Sequence, residues 1–123
     1  MLLAALVGLA AAFGAVARYL VDQAVANRWE SAFPWGTWVI NVTGSFALGL
    51  LTGLALHHGL SAHVVSVLGT GICGGYTTFS TFNLESVRLA EDGSPAGAVG
   101  NITGSIAAGL LAAACGLGLA LVI

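Results

Sequence analysis

The residues with chemical potential gather in one string: Gly69-Thr70-Gly71-Ile72-Cys73-Gly74-Gly75-Tyr76-Thr77-Thr78-Phe79-Ser80-Thr81-Phe82. Adjacent glycines followed by threonines and serine make a poor uninterrupted helix, since each lowers helix propensity. The string predicts a break near Gly74–Thr78. Carbonyls freed there suit a small hard cation, as unwound backbone does in discontinuous helices. A glycine-softened packing helix, its threonines bonded back to their own backbone, satisfies the same composition. Phe79 and Phe82 are three residues apart and share one face of a helix beginning after the break. Aromatic rings have a positive edge. Presented edge-on to a pore, they favour an anion without trapping it, and weak multiple sites are what conduction needs. Taken alone, the pair also reads as ordinary core.

Further polar groups stand in apolar surroundings. Asn41, Asn101 and Ser105 join Ser80 and Thr81 as donors, and Asn101 and Ser105 are four apart on one helix face. Buried amides and hydroxyls are costly in lipid unless bonded, so these groups either tie helices together or line water. Arg18, read as about three residues from the end of its helix, either snorkels to the headgroups or attracts anions at a pore mouth. Glu85 is an interfacial end charge or a vestibule residue. His57, His58 and His63 read as loop residues without metal geometry. No catalytic dyad, activated nucleophile or phosphate loop is present, so the sequence carries no enzyme signature.

The elements that position these groups are set by an extreme composition. Of 123 residues, 58% are apolar and 7% charged, with three arginines, no lysine and five acids; mean hydropathy is +0.97. Soluble domains carry about a quarter charged residues, so the chain belongs in lipid. The net charge of −2 gives nucleic acid no purchase. Crossing hydrocarbon takes roughly 20 apolar residues. Four spans qualify, at about 2–21, 35–56, 62–84 and 96–123, within a single domain covering 1–123. The first apolar stretch lacks a positive leader and reads as helix 1 rather than a signal peptide. Pro34 sits where helix 2 begins, Gly59 and Ser61 separate helices 2 and 3, and Glu91–Pro95 separates helices 3 and 4. Small-xxx-small pairs at Gly49/Gly53, Gly71/Gly75 and Gly100/Gly104 predict close helix packing. Cys73 and Cys115 fall inside spans and read as reduced packing thiols.

Asn41–Leu51 is echoed by Asn101–Leu111, displaced by 60 residues, which suggests either an old duplication or chance among small residues. Arg18, Arg28 and Arg88 lie towards the face with the 1–2 and 3–4 loops, a small bias placing those loops in the cytoplasm.

Taken together, these residues resemble the Fluc, or CrcB, family of small bacterial fluoride channels along nearly the whole chain. The likeness rests on Gly14-Ala15-Val16-Ala17-Arg18-Tyr19, on Gly36-Thr37 with Asn41-x-x-Gly44-Ser45-Phe46, and on Gly71-x-Cys73-Gly74-Gly75-x-Thr77-Thr78-Phe79-Ser80-Thr81-Phe82. The resemblance implies an all-α membrane protein with four transmembrane helices per subunit, the third broken, in an antiparallel dual-topology dimer of the bacterial inner membrane. Two pores would export cytoplasmic fluoride passively. By matching positions, Phe79 and Phe82 look like the pore phenylalanines and Asn41 like the pore asparagine. Ser80 and Thr81 fall in the segment lining the fluoride path. Gly74 and Thr77 look like backbone-carbonyl ligands of a structural sodium ion at the dimer interface. Arg18 resembles the vestibule arginine, and Glu85 the acid after the Phe motif. Where several family members carry a tyrosine on helix 4, this chain has Gly97, Asn101 and Ser105. The arginine bias suits a fixed orientation, so a homodimer and a heterodimer with a paralogue both stay open. The alternative, a small multidrug-type cation/proton exchanger, needs a membrane-embedded carboxylate that helix 1 lacks.

Overall fold

A computed structural model describes all of residues 1–123, and every regular element in it is helical. Helix α1 spans Leu2–Arg28, α2 Trp35–His58 and α6 Pro95–Ala120. These three are each long and apolar enough to cross a membrane. Between α2 and α6 the chain is divided into α3 (Ala62–Val65), a π-helical segment (Ser66–Cys73), α4 (Gly74–Tyr76) and α5 (Phe79–Glu91).

The ends follow local chemistry. Gly59 closes α2 in the left-handed region at φ 68°, where a side chain would be strained. The Ser61 hydroxyl caps α3 by accepting from the Val64 amide at 3.3 Å. Pro95 opens α6, where its missing N–H costs nothing. Helix α1 does not end near Asp22 but runs on to Arg28. The polar residues after Asp22 stay helical because alanine and glutamine there are adequate helix formers. His57 and His58 likewise belong to α2 and His63 to α3, rather than to loops.

Glycines set the packing. An added Cβ at Gly49 would strike the Ala113 backbone, at Gly53 the Ala120 methyl, and at Gly116 the Phe46 backbone, so α2 and α6 lie nearly backbone to backbone. Gly14, Gly71 and Gly75 do the same between α1 and the divided region, against Ile72, Ala10 and Ala11. Gly100 and Gly104 meet nothing within 4 Å. Their small-residue pattern therefore serves no helix contact inside this chain. His58 Nε2 and the Ala120 carbonyl, 2.7 Å apart, join the C-terminal ends of α2 and α6.

Only 19 of 123 residues are buried, while Leu9, Phe13, Leu110 and Leu111 are more than half exposed. Apolar side chains cover the outside because the surrounding medium is hydrocarbon.

Candidate break site in the third helical region

The break falls at Thr77 and Thr78, which adopt extended conformations (φ −78°, ψ 161° and φ −148°, ψ 125°) between α4 and α5. Gly74 and Gly75 lie just before it and remain helical. Gly75 is there for close approach to α1, since a Cβ would run into the Ala11 carbonyl.

Ahead of the break the winding loosens. The Gly74 amide reaches back to the Gly69 carbonyl, five residues away, the spacing of a π-helix. The Thr77 amide and hydroxyl both donate to the Cys73 carbonyl, at 2.9 Å each. Helix α5 then starts under its own cap: the Thr78 hydroxyl accepts from the Thr81 amide at 3.2 Å and donates to the Thr81 hydroxyl at 3.1 Å.

Two helices reach the extended pair. From α2, the Asn41 amide makes both bonds to Thr78: Oδ1 accepts from the Thr78 amide and Nδ2 donates to the Thr78 carbonyl, each at 2.9 Å. From α1, Arg18 Nη1 donates to the Thr77 carbonyl at 3.3 Å. Arg18 lies well inside α1, which ends only at Arg28, so it does not snorkel from a helix end. It places a guanidinium at the level of the break. The cleft beside the break has a volume of about 270 Å³ and is lined by Asn41, Ser45, Gly74, Thr77, Thr78 and Phe79 among others.

The phenylalanines differ in setting. Phe79 is 76% exposed, whereas Phe82 is 7% exposed. Their ring centroids are 5.8 Å apart with planes inclined at 34°. Ser80 is exposed and half a turn from the break, its hydroxyl 3.4 Å from that of Thr78.

The structure thus brings Arg18, Asn41, Gly74, Thr77, Phe79, Ser80 and Thr81 together around one kink, with Phe82 against Phe79. Asn101 and Ser105 stand apart from that group. Asn101 is 1% exposed and donates to Ser86 Oγ at 2.9 Å, while Ser105 donates to Asn101 Oδ1 at 3.3 Å. Ser86 in turn donates to the Phe82 carbonyl at 2.8 Å. The chain Ser105–Asn101–Ser86–Phe82 fastens α6 to α5. Glu85 borders a different cavity, shared with Asp22, Trp29, Trp35 and Gly36. Its Oε2 is buried without a hydrogen-bond partner.

Sequence reasoning placed Thr78 within the expected break but missed that it caps α5, and it passed over Ser86. That role of Thr78 had a readable signal, because threonine directly before a helical run is a preferred N-cap. Ser86 had none, because its partner on α6 is distant in sequence.

Long apolar helices with an outward apolar surface and a polar kink inside define a multi-pass membrane protein whose helices pack through glycine. The chain belongs to the family described as CrcB-like protein, Camphor Resistance (CrcB), whose profile matches residues 5–117. It is 49% identical over 115 residues to the Fluoride-specific ion channel FluC 1 of Frankia casuarinae, covering 89% of each chain. It is 50% identical to FluC 1 of Streptomyces avermitilis over 85% of this chain and 84% of that one. It is 44% identical to FluC of Rhizobium meliloti over 93% and 92%. The family and its apolar helices make this a multi-pass inner-membrane protein.

Proposed function

We propose that this protein is a subunit of a fluoride-selective channel that lets cytoplasmic fluoride leave the cell down its electrochemical gradient. The observation that carries the reading is the two-residue kink at Thr77–Thr78 with an exposed phenylalanine directly after it. Irregular backbone survives at membrane depth only where protein buries it or a polar path runs beside it. The relatives' names supply the ion.

In this reading the divided segment 62–91 is the third of four spans. The subunit pairs with an antiparallel second copy or a paralogue, and two paths run at their interface. The exposed cleft and the 76% exposed Phe79 suit a wall that another subunit completes.

Fluoride is small and strongly hydrated, so taking it bare into low dielectric costs tens of kcal/mol by Born reasoning. Hydroxyls of Ser80 and Thr81 stand beside the phenylalanines to replace its water in steps, and the ring edges of Phe79 and Phe82 guide it without binding it tightly. Arg18 adds a positive charge at the same depth. Asn101 and Ser105 act in this scheme from behind Phe82, and Glu85 from the cavity at the other end of α5's first turns. An inside-negative potential drives the anion outward at about 2.3 kcal/mol per 100 mV.

The kink also fits a sodium ion. The Thr78 amide is given to Asn41 instead of to the Gly74 carbonyl four residues back. Thr77's extended conformation turns its own carbonyl out of the helix. Both are hard oxygen donors of the type sodium takes from unwound helices. Gly74 and Thr77 would hold the ion at the subunit interface, where it supplies fixed positive charge and joins the two copies. Arg18 already donates to the Thr77 carbonyl, so that oxygen would use its second lone pair.

Fluoride-electrode efflux from liposomes tests the reading. Wild-type protein is expected to release fluoride and retain chloride, and Phe82→Ile to abolish release. Equal passage of chloride, or normal flux by the variant, would refute it. The multidrug-type exchanger gains no support from the relatives, which are named fluoride-specific ion channels, although α1, running on to Arg28, does carry one carboxylate, Asp22.

A further inference from the structure

Asn41 is turned to backbone, with one of its two Nδ2 N–H groups left over. Both polar atoms of its side-chain amide are taken by Thr78, through two 2.9 Å bonds that close a ring. This is the pairing a neighbouring β-strand would offer an extended residue. An isolated extended residue inside a membrane helix has no strand beside it, and its unpaired amide and carbonyl would be expensive in lipid. Thr78 is 8% exposed, so water does not serve them.

We infer that Asn41 is a positioning residue: its amide brackets Thr78 and holds the third helical region open. Three things follow from that bracket. The Thr78 amide is kept from the Gly74 carbonyl, which stays free on the kink. Thr78 remains extended, so its hydroxyl can cap α5 through Thr81. The start of α5, and with it Phe79, is aimed by α2. Gly44, one turn after Asn41, makes room by letting the Thr77 methyl lie against the α2 backbone. The inference concerns the kink itself; its consequence for flux rests on the fluoride-channel reading.

The test uses full-length protein labelled with ¹⁵N-threonine in nanodiscs, with Asn41→Ala and Asn41→Asp. Asp keeps the shape and the acceptor for the Thr78 amide but, ionised, has no donor for the Thr78 carbonyl. In Asn41→Ala the Thr78 amide is expected to shift and change its exchange with solvent, while threonines remote from the kink, such as Thr103, keep their positions. The stabilisation that sodium gives over N-methylglucamine in thermal unfolding should disappear. Fluoride efflux should fall roughly tenfold or more, the size expected for losing a buried pair of bonds. Should the alanine variant not fold, the same shifts are read in Asn41→Asp, with the amide change smaller. An unchanged Thr78 amide in a folded variant with lost flux would overturn the bracket and make Asn41 a direct ion contact. A wild-type protein that passes no fluoride would sink the channel reading while the amide readout still judged the bracket.

Discussion

Replacing Asn101 by alanine separates fastening from conduction on α6. The side chain is 1% exposed and makes two hydrogen bonds, one to Ser86 and one from Ser105. Side-chain bonds between membrane helices average about 0.6 kcal/mol each, so losing both removes about 1.2 kcal/mol. The amide's volume is lost from a filled site, and the cavity adds about another 1 kcal/mol. The total of about 2 kcal/mol is roughly a 30-fold change in the folding equilibrium. Denaturant unfolding in detergent, followed by tryptophan fluorescence, reads it. A double-mutant cycle with Ser86→Ala should return a coupling of about 0.6 kcal/mol, because the two residues share one bond. If Asn101→Ala unfolds within about 0.3 kcal/mol of wild type yet slows efflux tenfold, the fastening account is refuted and Asn101 belongs to the ion path.

Other outcomes follow from the same contacts. Gly75→Val drives a branched side chain into the Ala11 carbonyl and should cost about 1–3 kcal/mol in the same unfolding assay, whereas Gly100→Ala, with nothing within 4 Å, should stay within about 0.5 kcal/mol of wild type. Equal losses at the two glycines would contradict the packing described. Arg18→Gln removes the charge at the Thr77 carbonyl and is expected to lower fluoride efflux roughly tenfold, the effect of losing one charged hydrogen bond; an unaltered rate would assign Arg18 a purely structural place.

Much of this architecture was legible because lipid imposes a simple code. Apolar length marked α1, α2 and α6, and the glycine–threonine string marked the weak place between them. Its position was harder to read. Glycine softens a helix but does not end it, and Gly74 and Gly75 stay helical; the backbone leaves the helix at Thr77, where Asn41 offers a better partner for the next amide. That partner is 37 residues away, and no local propensity encodes it. Arg18 was misplaced along α1 for a similar reason: a charge suggested a helix end, and the helix instead carries it to the kink. Asn101 and Ser105 were rightly seen to share a face, and their direct bond is that face made visible. Of the small-xxx-small pairs, two were used within the chain and Gly100/Gly104 was not, because spacing alone does not say which neighbour will come.

The π-helical turn from Ser66 to Cys73 has an evolutionary consequence. A single residue advances an α-helix by about 100°, so a loosened turn takes up an extra residue within the stretch that grips α1. Swapping side chains in that stretch leaves the phase alone. Deleting one residue would let the winding retighten to the α spacing, so the turn would absorb the loss and the segments on either side would keep nearly the same orientation. Length there is more forgiving than in α1 or α2, where one residue more or less would turn everything after it by about 100°.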